Sequence, residues 1–197
     1  MGELVERVDE QDHVLGVVDR ASAIRHEWIH RVATIVCRDA GGRILVHRRA
    51  DGVPLFPGLF NWLLGGAVNV GESYEDAAAR EPAEELGVEA RPRFLFKFLC
   101  RGAISPYWLG LHEVVVEGPV QPDPSEIAWC DWVTESQLGG FVRRQTFVPD
   151  AREAFDRYRA LIHPPQREAG GPVSFSTMVE RAKSLPGSDA APSPTCQ

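Results

Sequence analysis

The chain has 197 residues, 44% hydrophobic and 25% charged, with a formal net charge of -7: enough for one domain with a real core and a tail, in the ordinary balance of a soluble globular protein. The acidic surplus argues against a nucleic-acid polymer as partner, because such grooves carry excess base, although a divalent cation could bridge an acidic site to a phosphate compound. No apolar stretch reaches membrane-spanning length and the acidic start MGELVERVDEQDHV lacks the apolar core of a secretory signal, so no membrane partner and a cytoplasmic location are expected.

In chain order, Leu4–Val8 and Val14–Val18 alternate apolar and polar residues around the acidic turn 9–12, which reads as a β-hairpin. Its edges could pair with a second copy, so a homodimer is one expectation. A short helix is predicted over 19–26. A second hairpin, 30–38 with 43–47, closes on Asp39-Ala40-Gly41-Gly42, a strong turn signal. Residues 50–57 read as loop, and 62–70 as a strand broken by Gly65-Gly66. From Ser73 to Leu86 the pattern becomes helical, with Ser73 and Asp76 as an N-cap arrangement and Gly87 as terminator. Strands are predicted over 93–99, 107–116 and 127–133, then an amphipathic helix over 150–162. Residues 1–163 are expected to form the domain and 164–197 a tail, with a short helix over 175–185 and the remainder disordered. Cys37, Cys100, Cys130 and Cys196 are scattered without C-x-x-C spacing, so a zinc site or disulfide framework is rejected, and the first three, in strand-like apolar runs, read as small buried thiols.

The chemistry lies in Gly65–Val88, GGAVNVGESYEDAAAREPAEELGV. Glycines at 65 and 66 let backbone carbonyls approach a ligand or ion without an intervening Cβ. Glu81, Glu84 and Glu85 stand at i, i+3 and i+4, so a helix places all three carboxylates on one face. Like charges that close repel, whereas a hard divalent cation reverses the penalty and commonly joins carboxylates to substrate phosphates. Arg80 could hold one carboxylate by a bidentate pair. The alternative is a solvated glutamate-rich face, and the wider spacing decides against it.

That wider spacing resembles the signature of the Nudix hydrolases, matching at Gly66, Glu72, Arg80, Glu81, Glu84, Glu85, Gly87 and Val88. At roughly 7% per residue type, seven fixed identities arise by chance on the order of once per hundred million starting points. The resemblance covers roughly residues 14–162 and implies an α/β fold: an α/β/α sandwich around a mixed β-sheet. It implies metal-dependent hydrolysis of a diphosphate linkage in a nucleoside diphosphate derivative, with magnesium, or manganese in its place, as cofactor. By position, Glu84 and Glu85 are implied as principal metal ligands. Glu81 is a further ligand or the group that orients water, Arg80 its positioner, Glu72 a steadying group that reaches metal through water, and the Gly65 carbonyl a ligand. Glu126 falls where some members place an extra carboxylate base.

Pro82 departs from the signature. Proline inside a helix removes a hydrogen bond and biases the preceding residue, here Glu81, away from helical geometry. It motivates a second reading, a weakened or non-catalytic domain that binds a nucleotide-like ligand. A third reading comes from residues 12–49 with Leu55-Phe56-Pro57-Gly58, which resemble isopentenyl diphosphate isomerases. Their cysteine and metal-binding histidine fall where this chain has Gly65 and Ala67, so isomerisation is not expected. His26 and His30 lie near histidine positions of those isomerases, and His30 reads as a structural hydrogen-bonder. Arg48 and Arg49 at a strand end, with Phe56 and Trp62, are the candidate substrate contacts; each also has a plain role as a solvated strand end or a core aromatic.

Overall fold

The computed structural model describes residues 2–164. The chain divides into two units, Met1–Tyr158 and Arg159–Gln197. The second is described only from Arg159 to Pro164, so the helix expected over 175–185 and the tail lie outside the described residues.

In the first unit, β1 (Leu4–Val8) and β2 (Val14–Asp19) form the expected antiparallel hairpin. Asp19 then caps α1 (Arg20–Arg25), its side chain accepting from the Ser22 amide. The remaining strands are β3 (His30–Asp39), β4 (Ile44–Arg49), β5 (Phe60–Asn61), β6 (Leu64–Ala67), β7 (Arg93–Cys100), β8 (Tyr107–Val116) and β9 (Ile127–Val133). Among the described residues they make one mixed seven-stranded sheet in the order β5-β4-β3-β8-β7, with β6 added to β3 and β9 to β4. β3 and β8 run parallel through ten register pairs, from His30↔Tyr107 to Asp39↔Val116; the other pairings are antiparallel.

Pleat alternation on β3 explains why the sheet is covered on both faces. Ala33, Ile35 and Cys37 join Leu45, Val114 and the buried face of α2 (Tyr74–Leu86), contributed by Ala77, Ala78 and Leu86, in one core. From the opposite face Arg38 bonds Tyr158 and Glu113, and Tyr158 belongs to the part of α4 (Pro149–Ile162) that lies in this unit. Both helices therefore bury apolar surface on the sheet, which at about 25 cal/mol per Å² is the main stabilising term.

Two expectations need correction. The strand expected over 62–70 does not break at Gly65-Gly66; these glycines lie inside β6, and the break falls at Trp62-Leu63. The Asn61 side chain accepts from the Leu63 amide at 3.0 Å, a local turn that ends β5. A helix with no sequence expectation, α3 (Glu135–Arg144), follows β9. A Thr134/Gln137 capping box starts it, and buried Gly139 and Gly140 dilute its apolar pattern. No helix among the described residues is long and apolar enough to cross a membrane.

Candidate functional site

α2 begins with a capping box between Ser73 and Asp76 and ends at Gly87, whose left-handed conformation (φ 67°) suits glycine. The helix is continuous through Pro82, and Glu81 stays helical and buried. The Pro82 carbonyl accepts from the Val88 amide at 3.2 Å. Two further carbonyls at this end are taken by the loop before β9: Gln121 N–H bonds Leu86 O at 2.8 Å and Asp123 N–H bonds Glu85 O at 2.9 Å. Carbonyls that the last helical turn leaves open thus fix the loop that carries Glu126.

Arg80 is the hub of the carboxylates. Its Nε and Nη2 reach both oxygens of Glu72 at 2.9 and 3.1 Å, a bidentate pair, while Nη1 donates to Glu81 at 2.7 Å and Glu84 at 3.1 Å. Nη2 also donates to the Ala67 carbonyl at 3.1 Å. Burial alone would raise the Glu72 pKa, but Arg80 and the Asn69 amide hold it below the usual carboxylate range. Glu6 of β1 braces the same loop, accepting from the Gly71 amide at 3.2 Å.

The inner carboxylates behave oppositely. Burial raises Glu81, with Glu84 adding repulsion and Arg80 opposing. Glu85 is pushed up to about 8 by burial and by repulsion from Glu81 and Glu126, with the Gly65 backbone and Arg49 opposing. The structure therefore brings Glu81, Glu85, Glu126, Gly65 and Arg49 together, while Glu84 stands at the exposed rim, its side chain 60% accessible.

Glycine is required beneath them at position 65, and at position 66 it leaves the Glu81 carboxylate its place. A Cβ at Gly66 would lie 2.5 Å from Glu81 Oε1, and one at Gly65 (φ 137°) would lie 2.1 Å from the Ala33 carbonyl. No side chain, a cysteine included, fits at position 65 in this backbone.

A cavity of about 140 Å³ opens beside these glycines, with Arg20, His30, Arg49, Phe56, Gly65 and Gly66 in its wall. Arg49 donates from Nε to the Leu55 carbonyl at 3.0 Å, and Phe56 is half-buried with a positive φ of 52°, unusual for an aromatic residue. Two expected substrate contacts are not brought here. Trp62 is buried in the core, its Nε1–H donating to the Ala151 carbonyl at 2.7 Å and its ring packed on Phe155 and Tyr158. Arg48 does not line the cavity; adjacent strand residues face opposite ways, and its guanidinium pairs with Asp51 at 2.7 Å. His26 is exposed and stacks on Trp28. His30 is buried, with a hydrogen bond to the Trp28 backbone, while its Nδ1 has no partner within hydrogen-bond distance. Arg20, which the sequence did not single out, lines the cavity and lowers the Glu81 pKa through its charge. Its only advance sign was the cap at Asp19, which fixes where α1 starts.

Among the described residues no three His, Cys, Asp or Glu side chains stand together closely enough to hold a metal by themselves; Arg80 draws Glu72, Glu81 and Glu84 onto itself. The donor types nevertheless suit a hard divalent cation: carboxylate oxygens that burial first, and repulsion among them second, disfavour as bare anions, over a glycine strand that leaves room for them.

Comparison with known proteins agrees with this geometry. Residues 28–158 match the profile of the NUDIX domain. The chain is 42% identical over 175 residues to an uncharacterised Nudix hydrolase of Streptomyces coelicolor, covering 87% of this chain and 94% of that protein. It is 30% identical over 156 residues to a prenyl-diphosphate phosphatase of Methanosarcina mazei, covering 76% and 91%. A crystal structure of a Deinococcus radiodurans protein, 30% identical, superimposes with a TM-score of 0.67 over 79% of this chain and 98% of that one.

Proposed function

This chain belongs to the Nudix hydrolase family, and from that premise we propose that it cuts the diphosphate linkage of a nucleoside diphosphate derivative in the cytoplasm, using magnesium or manganese held by Glu81, Glu84 and Glu85. The observation that carries this reading is the crowding of Glu81 and Glu85 on one face of α2 against the Gly65-Gly66 strand, where a Cβ at Gly65 would meet the Ala33 carbonyl and one at Gly66 the Glu81 carboxylate. Arg80 pairs Glu81, but burial and repulsion from Glu81 and Glu126 bear on Glu85, an arrangement that an added cation relieves.

A divalent cation, when bound, supplies Lewis acidity and neutralises charge on the diphosphate. The chain's own groups do the rest. Arg80 orients Glu72, Glu81 and Glu84 with four of its hydrogen bonds and anchors itself on the Ala67 carbonyl with a fifth. Arg49, on the cavity wall, offers a cation to substrate phosphate. The water oxygen forms a bond to one phosphorus, the bridging P–O bond breaks, and the water proton passes to a carboxylate, a role we assign to Glu81 or Glu126. The other phosphate leaves with the bridging oxygen. The Gly65 carbonyl and Glu72 complete the proposed surroundings of the ion, and Phe56 walls the substrate.

Turnover of a panel of diphosphates with magnesium or manganese, stopped by chelation, tests this. Absence of product with any divalent ion would defeat it, and ligand binding without turnover would favour the non-catalytic reading that Pro82 motivates. A prenyl diphosphate substrate is a second reading, supported by apolar cavity residues such as Ile24, Leu55, Leu63 and Ile104 and by the name of the Methanosarcina mazei relative. Pairing of two copies is supported by exposed Leu4, Val14, Leu15 and Val17 on the hairpin; sedimentation of the intact chain tests it.

A further inference from the structure

A carboxylate far outside the signature reaches the turn that carries Glu72. Residues 69–72 form that turn, closed by the Glu72 amide on the Asn69 carbonyl at 3.0 Å, with Gly71 at a positive φ of 78°. The closing bond uses the Glu72 amide alone, so the Gly71 amide takes its acceptor from another part of the chain. That acceptor is Glu6 of β1, whose Oε1 lies 3.2 Å from the Gly71 nitrogen. The other oxygen, Oε2, accepts from Arg31 Nη1 at 2.8 Å, and the Arg31 and Glu6 side chains are only 18% and 17% exposed. Arg31 is itself fixed, with Nε and Nη2 both bonded to Asp12. The backbones of β1 and the turn also meet, in a bridge between Val5 and Asn69. From the turn the bonds run on to the carboxylates. The Asn69 amide donates to Glu72 Oε2 at 2.8 Å, Glu72 takes the bidentate pair from Arg80, and Arg80 holds Glu81 and Glu84.

We propose that Glu6 is a positioning residue for the hydrolytic site: it sets the 69–72 turn, and through that turn the places of Glu72 and Arg80. The proposal rests on the diphosphatase reading above and adds to it a residue of the N-terminal hairpin, which the signature does not contain. Two features separate the contact from an ordinary surface bond. A carboxylate held on one side by a guanidinium presents its second oxygen to a single amide at little further loss of side-chain freedom, because Arg31 has already fixed it. Gly71 belongs to no strand and, as glycine, restrains its own backbone least, so an outside grip on its amide has most effect there. Glu6 acts only through Glu72 and Arg80. Groups that orient metal ligands from one step further out are commonly worth about 10-fold to 100-fold in metal affinity or activity.

The test uses the full chain with Glu6→Ala, Glu6→Gln and, for contrast, Asp12→Asn, which loosens the same hairpin but leaves the Glu6 bond to Gly71 in place. Three quantities are measured. They are hydrogen exchange at the Asn69 amide and Arg80 Nε–H in the metal-free protein, calorimetric binding of magnesium alone, and kcat and KM on a diphosphate that the unmodified chain turns over. Glu6→Ala is expected to speed both exchanges about 10-fold, weaken magnesium binding about 10-fold, and lower kcat about 10-fold with KM within about 3-fold. Glu6→Gln keeps an acceptor for the Gly71 amide and should stay within about 3-fold of the unmodified chain. Asp12→Asn should also stay within about 3-fold in all three, although it strands two cations and lowers stability. Equal losses in Glu6→Ala and Asp12→Asn would overturn the proposal, because they mark general loosening of the hairpin. So would unchanged exchange at Arg80 in Glu6→Ala. If no diphosphate is turned over, the hydrolytic reading fails, and the exchange rates, measured without metal or substrate, still decide this one.

Discussion

Two charge clusters meet α2, and they are built on opposite rules. At its start, the Tyr74 hydroxyl donates to Asp12 Oδ2 at 3.2 Å. Asp12, from the β1–β2 turn, is buried, but Arg31 Nε lies 2.6 Å from one of its oxygens and Lys97 pairs with the other. Burial would raise Asp12; its hydrogen bonds to Lys97 and Arg31 outweigh that and lower it. Further along α2, a single arginine serves three carboxylates, and Glu81 and Glu85 are raised. The first cluster is balanced and ties the hairpin, β3, β7 and α2 together. The second is left in negative surplus. An excess of one sign, kept where the fold could have balanced it, is the mark of a site that expects a partner.

The sharpest way to break the contrast is Glu85→Gln. Turnover should fall at least about 10³-fold if its charge is needed for the cation, while the metal-free protein should melt higher because the buried carboxylate, and with it the repulsion from Glu81 and Glu126, is removed. Stability lost and turnover kept would place Glu85 with Asp12 as a structural group. Next, Arg80→Ala should lower kcat/KM about 10²-fold by releasing three carboxylates from their places. Arg80→Lys should recover only part, because an ammonium cannot make the bidentate pair to Glu72.

Asp12→Asn should act on the other cluster alone. It leaves Arg31 and Lys97 without their shared carboxylate and should cost about 3 kcal/mol in denaturant unfolding, with turnover at low temperature changed only a few-fold.

The clusters should also differ in pH dependence. The folded-state pKa of Glu85 lies above its ordinary value of 4.5, so its contribution is fully present below about pH 4.5 and is lost as pH rises through about 8. Asp12 is lowered from 3.8, so its contribution holds above that value and is lost as pH falls through the lowered one. The metal-free protein should therefore melt several degrees lower at pH 9 than at pH 6, at about 2 to 4 °C per kcal/mol. Glu85→Gln should flatten that slope, and a slope unchanged in the variant would assign it elsewhere. The smallest effect is expected from Pro82→Ala, with turnover within about 3-fold, because α2 already runs unbroken through Pro82. A gain of 10²-fold would instead reveal a helix held back by its proline.

How much could be read in advance depended on how local each signal was. Ser73, Asp76 and Gly87 announce both ends of α2 because capping is settled within a few residues. The two hairpins carry their turn chemistry in sequence. α3 went unseen because Gly139-Gly140 weakens a helical pattern that only packing explains. The strand break was misplaced because Asn61, not the glycines, makes the turn.

By itself, then, the sequence determined the family, the mixed α/β architecture and the helix that carries Glu81, Glu84 and Glu85. Tertiary structure alone decided that Trp62 is core and Arg48 faces away, that Glu126 is held near Glu85 by a loop bonded to the end of α2, and that Arg20 and His30 share a cavity with Gly65-Gly66. The physical reason is range. Periodicity and capping act within a turn or two of chain, whereas burial and repulsion between charges distant in sequence exist only once the sheet has brought them together.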